Sequence, residues 1–383
     1  MKKLVKPQNQ YFSSGPCAKF STWNANILSN ALIGRSHRSK EGRIILKSVI
    51  QNTKRILQIP DDYILAIVPG SDTGAIEIAL WNLLGPKGVD VLAWDSFGLD
   101  WVNDVVNQLK LLDVNVLESG YGKIPNLENV NFKRDVVFTW NGTTSGVCIP
   151  NVNWIDKMRE GLTICDATSA VFAMDIDWDC VDATTFSWQK ALGGEAAHGM
   201  IILSPRAVKR INSFTPSWPI PKLFNLKKNG KLNQEIFEGL TINTPSMLAI
   251  EDWTAALKWV DENGGLKVLQ KKSVKNFEII RDFCRKNEWI DFLAIEESTR
   301  SITSVCLKII DNWFVSLSDY DQRQKIKYFC KILEIEGVAF DIEGYRSAPP
   351  GIRIWCGPTI ETLDLRLLMP WLSWAWNETL KQK

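Results

Sequence analysis

The sequence predicts an α/β protein built from a large N-terminal unit and a smaller C-terminal α+β unit. Three observations lead there. Short apolar runs bounded by polar and Gly residues recur between helix-period segments up to residue 263, the pattern of buried strands in a layered α/β sheet. The chain has 383 residues, too many for one small core. A Gly264-Gly265 pair then interrupts a helical stretch, and a modest α+β layer follows. The expected division is an arm at 1–40, a large unit at 41–263 and a small unit at 264–383.

Residues 1–40 lack clear periodicity and read as an arm that packs on another part of the fold or on a partner subunit. Within it, residues 34–39 (GRSHRS) set Arg35 and Arg38 beside His37. Cations separated by small residues suit an oxyanion such as phosphate, because the backbone can approach closely. A solvated basic loop fits the same residues.

Apolar positions Ile44, Ile45, Val49, Ile56 and Leu57 give 41–59 a helical pattern, and 63–68 then reads as a strand. The run PGSDTGA at 69–75 leads into a helix at 76–84. A strand, a small-residue turn and a helix start form an anion site from free N–H groups and the positive end of the helix dipole. The run matches neither the Walker pattern nor GxGxxG. The next strand, 89–94, precedes a helix carrying Trp101, which is placed to cover a flat cofactor ring, although core packing explains a tryptophan equally well. Strands at 114–118 and 135–140 follow, and the second ends in NGTTSG at 141–146. Those hydroxyls could bond a phenolic oxygen or simply close a turn.

Two apolar runs, 162–165 and 181–186, then end on Asp166 and on SWQK at 187–190. In open α/β sheets ligands sit beyond the carboxyl ends of the strands, where Asp166 and Lys190 both fall. A carboxylate and an amine offered to one pocket suit pyridoxal phosphate, with the lysine forming a Schiff base and the aspartate keeping the pyridine nitrogen protonated. A capped turn and a solvated loop amine are the plain alternative. After a strand at 198–203 and a short helix at 206–214, residues 215–245 are irregular and end in TINTP. Helices at 247–263 and 266–286 flank the Gly pair. Strands at 292–295, 302–310, 338–341 and 352–356, with helices at 318–336 and 360–379, complete the chain. Arg353 lies on the last strand, where a bidentate grip on a carboxylate would be rigid; a structural arginine competes with that reading.

Composition excludes several classes. Hydrophobic residues make up 45% and charged residues 23%, as in ordinary soluble globular proteins. A net charge of +2 with scattered basic residues leaves no nucleic-acid footprint. The N-terminus has lysines but no apolar core of a signal peptide, and no apolar run reaches the roughly 18 residues that span a bilayer. Eight irregularly spaced cysteines and two histidines argue against a zinc or other metal site and for reduced, buried thiols in a cytoplasmic protein.

Taken in order, seven stretches resemble those of one family: GSDTG at 70–74, Trp101, NGTTSG at 141–146, DATS at 166–169, SWQK at 187–190, TINTP at 241–245, and GYR…GIR at 344–353. Together they resemble the phosphoserine aminotransferases, class V enzymes of the fold-type I, pyridoxal-phosphate-dependent group. The resemblance covers nearly the whole chain and implies a mainly parallel seven-stranded sheet between helices. It implies that Lys190 forms the Schiff base with pyridoxal 5'-phosphate, that Asp166 pairs with the pyridine nitrogen and that Trp101 stacks on the ring. Thr143 would reach the ring oxygen, and Asp72, Thr73, Ser187 and Gln189 would line the cofactor and its phosphate. Asn243 and Thr244 would reach the cofactor phosphate of a neighbouring subunit, which implies a homodimer with shared active sites. Arg353 would hold the substrate α-carboxylate, and His37, Arg38 and Arg346 the substrate phosphate, the first two from the partner chain. Position 345 is tyrosine, where many members of the family have histidine; a phenol can hydrogen-bond phosphate but carries no positive charge.

The reaction so implied moves the amino group of L-glutamate to 3-phosphohydroxypyruvate, with Lys190 as general base and ping-pong kinetics. It belongs to serine biosynthesis, and the related phosphohydroxythreonine reaction to vitamin B6 synthesis. Another class V enzyme, such as an alanine–glyoxylate or serine–pyruvate aminotransferase, is the nearer rival, but it has no need of the His37, Arg38 and Arg346 grip. A non-catalytic phosphate-binding α/β module is the remote one.

Overall fold

The structure, a computed structural model, describes residues 4–382; residues 1–3, which begin the expected arm, and residue 383 lie outside it. After the arm, α1 (Lys40–Ile56) starts where the Ser39 hydroxyl accepts from the Gly42 N–H at 3.1 Å. Its residues Leu46, Val49, Ile50, Thr53 and Ile56 are buried, the spacing of one helix face. Strand β1 (Ile64–Pro69) leads into α2 (Ser71–Leu83), β2 (Val89–Ala93), α3 (Ser96–Asn103), β3 (Val114–Glu118) and β4 (Asp135–Thr139). A short hairpin, β5 (Asn141–Gly142) and β6 (Val147–Cys148), precedes β7 (Thr163–Asp166), β8 (Ala183–Ser187), β9 (His198–Leu203) and α4 (Pro205–Ser213).

Seven of these strands form one sheet in the order β1-β9-β8-β7-β4-β2-β3. Only β9 runs against its neighbours, β1 and β8; the remaining pairs are parallel. The carboxyl ends of β1, β2, β4, β7 and β8 therefore share one edge. The central strands β2, β4, β7 and β8 are buried along their whole length, as a sheet covered on both faces requires.

The irregular stretch after α4 contains a small ribbon, β10 (Lys227–Lys228) with β11 (Lys231–Leu232), before α5 (Met247–Glu262) and α6 (Leu266–Arg285). A three-stranded antiparallel sheet follows, made of β12 (Ile290–Phe292), β13 (Ser304–Ile309) and β14 (Gly351–Trp355), with α7 (Asn312–Ser316), α8 (Asp319–Ile335) and α9 (Thr362–Leu380). No helix among the described residues is long and apolar enough to cross a membrane.

Three local expectations shift. Helix α2 begins at Ser71, not at 76, because Gly70 turns the chain with φ of 83° and the small residues become the first helical turn. The strand expected at 292–295 sits at Ile290–Phe292. The strand expected at 338–341 is absent from the small sheet: Phe340 makes a single bridge to Tyr11 of the arm, and its N–H donates to Gln10 O at 2.9 Å. The arm also takes the Trp355 N–H on Phe12 O at 2.9 Å, while the Arg353 N–H donates to Ile342 O at 2.7 Å and Glu343 bridges Ile352, so the arm and residues 342–344 share the free edge of β14.

Candidate active site

Lys190 sits in the turn just beyond β8, and Asp166 is the last residue of β7. The two strands are parallel neighbours with Asp166 paired to Thr185, so both side chains rise from the same edge of the sheet. The turn is immobilised from below: Trp188 is fully buried and stacks on Trp253 of α5, ring centroids 5.3 Å apart at 8°. Lys190 is only 8% exposed, and its amine donates to the backbone carbonyl of Ser14 in the arm. A Cβ added at Gly15 would meet that amine, and the φ of 148° there already disfavours a side chain, so the Ser14-Gly15 backbone lies directly against the lysine.

Asp166 is 5% exposed and accepts from the Thr168 N–H at 3.0 Å and from the Trp101 indole N–H at 3.3 Å. Trp101 reaches it from α3, whose first turn is capped by Asp95. Asp72, in the first turn of α2, is 6% exposed, and burial first and the Asp166 carboxylate second push its carboxyl well above the usual range. Burial pushes the Lys190 amine down; Arg353 pushes the same way, while the Asp166 carboxylate pulls it back. Beside Lys190, burial pushes the Cys17 thiol up to about 12, so it stays protonated at neutral pH.

From β5 the Asn141 amide donates to Ser169 Oγ at 2.8 Å, and Thr143 Oγ1 donates to the same hydroxyl at 2.9 Å. The Thr143 carbonyl meets the small sheet, accepting from Ser304 Oγ at 2.6 Å and from Arg353 Nη1 at 3.4 Å. Ser304 Oγ also lies 3.1 Å from Ser14 Oγ. Lys190, the arm, the Thr143 turn and Arg353 thus form one connected group.

Several buried polar atoms of this group lack partners: Asp72 Oδ1, Thr168 Oγ1, Thr185 Oγ1, Ser187 Oγ, Gln189 Oε1 and Arg353 Nε. Orphaned buried polar atoms are costly, and a concentration of them around a buried amine is the mark of a site shaped for a polar ligand. Of the residues expected there, Asp72, Trp101, Thr143, Asp166, Ser187, Gln189, Lys190 and Arg353 belong to this edge. Thr73 follows Asp72 but is exposed. Arg346 is exposed on the turn before β14. His37 and Arg38 stand at the entry to α1, half-buried and exposed, and burial and Arg38 push the His37 imidazole down. Asn243 is half-buried and Thr244 exposed, just ahead of α5; the Asn243 amide reaches only Thr244 O, at 3.4 Å.

Residues 109–328 match the model of the class-V aminotransferase family. Phosphoserine aminotransferases of Methanosarcina mazei and Methanosarcina barkeri are each 56% identical over 98% of this chain and 99% of their own. The chain belongs to the phosphoserine aminotransferase family. Solved relatives share the fold: a phosphoserine aminotransferase from Cytophaga hutchinsonii superposes with a TM-score of 0.81 at 21% identity, covering 95% of this chain and 98% of that one. A pyridoxal-phosphate-bound phosphoserine aminotransferase from Trichomonas vaginalis gives 0.74 at 18%, covering 95% and 100%.

Against the demands of this family, the residues present fit a pyridoxal phosphate: a buried amine, a buried carboxylate, an indole between α3 and Asp166, and unpartnered hydroxyl and amide groups around them. Ser14 and Ser304 went unrecognised in the sequence. Ser14 stood in an arm without periodicity and Ser304 in a strand that reads as core. The one available signal was the Ser-Gly-Pro run of the arm, whose Gly15 abuts the lysine.

Proposed function

We propose that this chain transfers the amino group of L-glutamate to 3-phosphohydroxypyruvate, giving 2-oxoglutarate and O-phospho-L-serine, with pyridoxal 5'-phosphate as cofactor. The observation that carries this reading is a buried amine, Lys190, on the same sheet edge as the Asp166 carboxylate, in a chain of this family. Bound pyridoxal phosphate would supply an electron-accepting ring to which an amino group can be handed and from which it can be returned.

The chain's own residues do the rest. Lys190 would hold the cofactor covalently, and Asp166 would keep a proton on its ring nitrogen. Trp101 would cover the ring face, Thr143 would reach the ring oxygen, and Asp72, Thr73, Ser187 and Gln189 would line its edge and phosphate. Because burial lowers the affinity of Lys190 for protons, more of its amine is neutral near pH 7, which a base needs. Its Nζ would take the α-proton of glutamate and, in the return half, place a proton on the α-carbon of phosphoserine. Arg353, with Nε free of protein partners, would orient the α-carboxylate. Arg346 would grip the substrate phosphate together with His37 and Arg38 of a second copy, while Asn243 and Thr244 of that copy would reach the cofactor phosphate. The surface positions of these four residues on a single chain support a homodimer with shared sites. We read 41–263 as the cofactor-binding unit and 264–383 as the small one, divided at Gly264 and Gly265, both with positive φ. Eight buried cysteines outside any disulfide support a reducing compartment, the cytoplasm, and the product supports a place in serine biosynthesis.

Borohydride trapping of the loaded protein followed by peptide mapping should label Lys190, and Lys190→Ala should reduce transamination to background. Phosphohydroxypyruvate should outcompete hydroxypyruvate, glyoxylate and pyruvate as acceptor. A label on another lysine, or equal use of the four acceptors, overturns the reading.

A further inference from the structure

Tyr345 lies beside both arginines that the proposed function assigns to substrate. It is half-buried, and its ring has the Arg353 guanidinium carbon 5.6 Å and the Arg346 guanidinium carbon 5.8 Å from its centroid. Phe97, in the first turn of α3, leans on the same ring at 5.9 Å and 46°. The turn that carries Tyr345 is pinned. The Ala348 N–H donates to Tyr345 O at 2.8 Å, the Gly344 N–H to Gly351 O at 2.9 Å, and Arg323 Nη2 to Ala348 O at 3.0 Å. The Tyr121 and Ser347 hydroxyls meet at 2.9 Å on its outer side. The ring is therefore a fixed surface against which long side chains are ordered.

Two guanidiniums near one point repel each other. A carboxylate between them would hold both, but it would neutralise charge and occupy the N–H donors that a ligand needs. An aromatic face attracts each cation through its quadrupole and uses none of those donors. Here the donors do remain available: among the described residues the Arg353 guanidinium makes one hydrogen bond, to Thr143 O at 3.4 Å, and its buried Nε has no partner. We infer that Tyr345 is a positioning residue that holds Arg353 and Arg346, through its ring and not its hydroxyl, as a paired receptor for a carboxylate and a phosphate of one substrate. This rests on the assignment of those two arginines under the proposed function.

The test uses the cofactor-loaded enzyme with Tyr345→Phe and Tyr345→Leu, and Tyr345→Gln should the leucine variant fail to fold. KM and kcat are measured for phosphohydroxypyruvate and glutamate, and binding of glutarate, a dicarboxylate without an amino group, is followed by calorimetry. Tyr345→Phe should stay within about twofold of wild type throughout, while Tyr345→Leu should raise both KM values and weaken glutarate by about five- to tenfold with a smaller change in kcat. A phenylalanine variant as impaired as the leucine one would make the hydroxyl the working group and overturn the inference. So would a leucine variant indistinguishable from wild type in an enzyme that uses phosphohydroxypyruvate. A wild type inactive on phosphohydroxypyruvate, with glutarate binding still weakened by Tyr345→Leu, sinks the proposed substrate and leaves the positioning standing.

Discussion

At the scale of single residues, burial sets the chemistry of this protein more than pairwise charge does. Lys190 is pushed toward its neutral form and Asp72 toward its protonated form, in both cases first by removal from water. His198 shows the same effect away from the lysine. It is 5% exposed, its Nε2 accepts from the Ser246 N–H at 3.0 Å, and burial pushes it down to about 4. Its folded value lies below the ordinary 6.5, so the unfolded chain takes up the proton first as pH falls. The stability it contributes is complete above that ordinary value and is lost as pH falls toward the folded one, a change of about 3 kcal/mol. Urea midpoints at neutral pH and near the folded value should therefore separate more for wild type than for His198→Gln, which keeps an acceptor for Ser246. Equal separations would remove His198 from the acid sensitivity.

At the scale of elements, the caps and turns at the carboxyl edge do the aligning. Asp95 accepts from the Gly98 N–H at 3.0 Å, capping α3, and from the Thr144 N–H and hydroxyl, both at 3.1 Å. One carboxylate thus ties the helix bearing Trp101 to the turn bearing Thr143. Asp95→Ala should cost about 2–3 kcal/mol, since it removes a cap and strands a buried donor. It should also weaken retention of pyridoxal phosphate on dialysis; unchanged stability and retention would make the tie dispensable. The run at 69–75 was readable as an anion-binding turn from its small residues, but its helical state was hidden because Ser, Asp, Thr and Gly lack the apolar period that marks a helix. The same blindness covers the π-helical turn Asp104–Gln108 after α3, which no local pattern distinguishes from ordinary helix.

At the scale of the whole molecule, the residues divide between those gathered at one sheet edge and those left on the surface of the single chain. Co-expressing Lys190→Ala chains with Arg38→Ala chains tests the shared site directly. A mixed dimer would hold one intact site, with Lys190 from one chain and Arg38 from the other. Its activity should show the wild-type KM for phosphohydroxypyruvate, which the Arg38→Ala enzyme alone lacks. A mixture no better than Arg38→Ala alone would place Arg38 outside the neighbour's site.

The apolar runs at 162–165 and 181–186 by themselves determined that Asp166 and Lys190 would stand at strand ends, because burial of a strand follows from its local composition. Likewise the period of 41–59 was enough for α1. Only the tertiary structure decided that the Trp101 indole bonds Asp166, that Ser304 meets Ser14 across 290 positions of chain, and that Phe340 bridges Tyr11 of the arm instead of joining a strand of the small sheet. Periodicity reports which face of an element avoids water. Which distant groups then meet on that face depends on how whole elements pack, and no local pattern carries that.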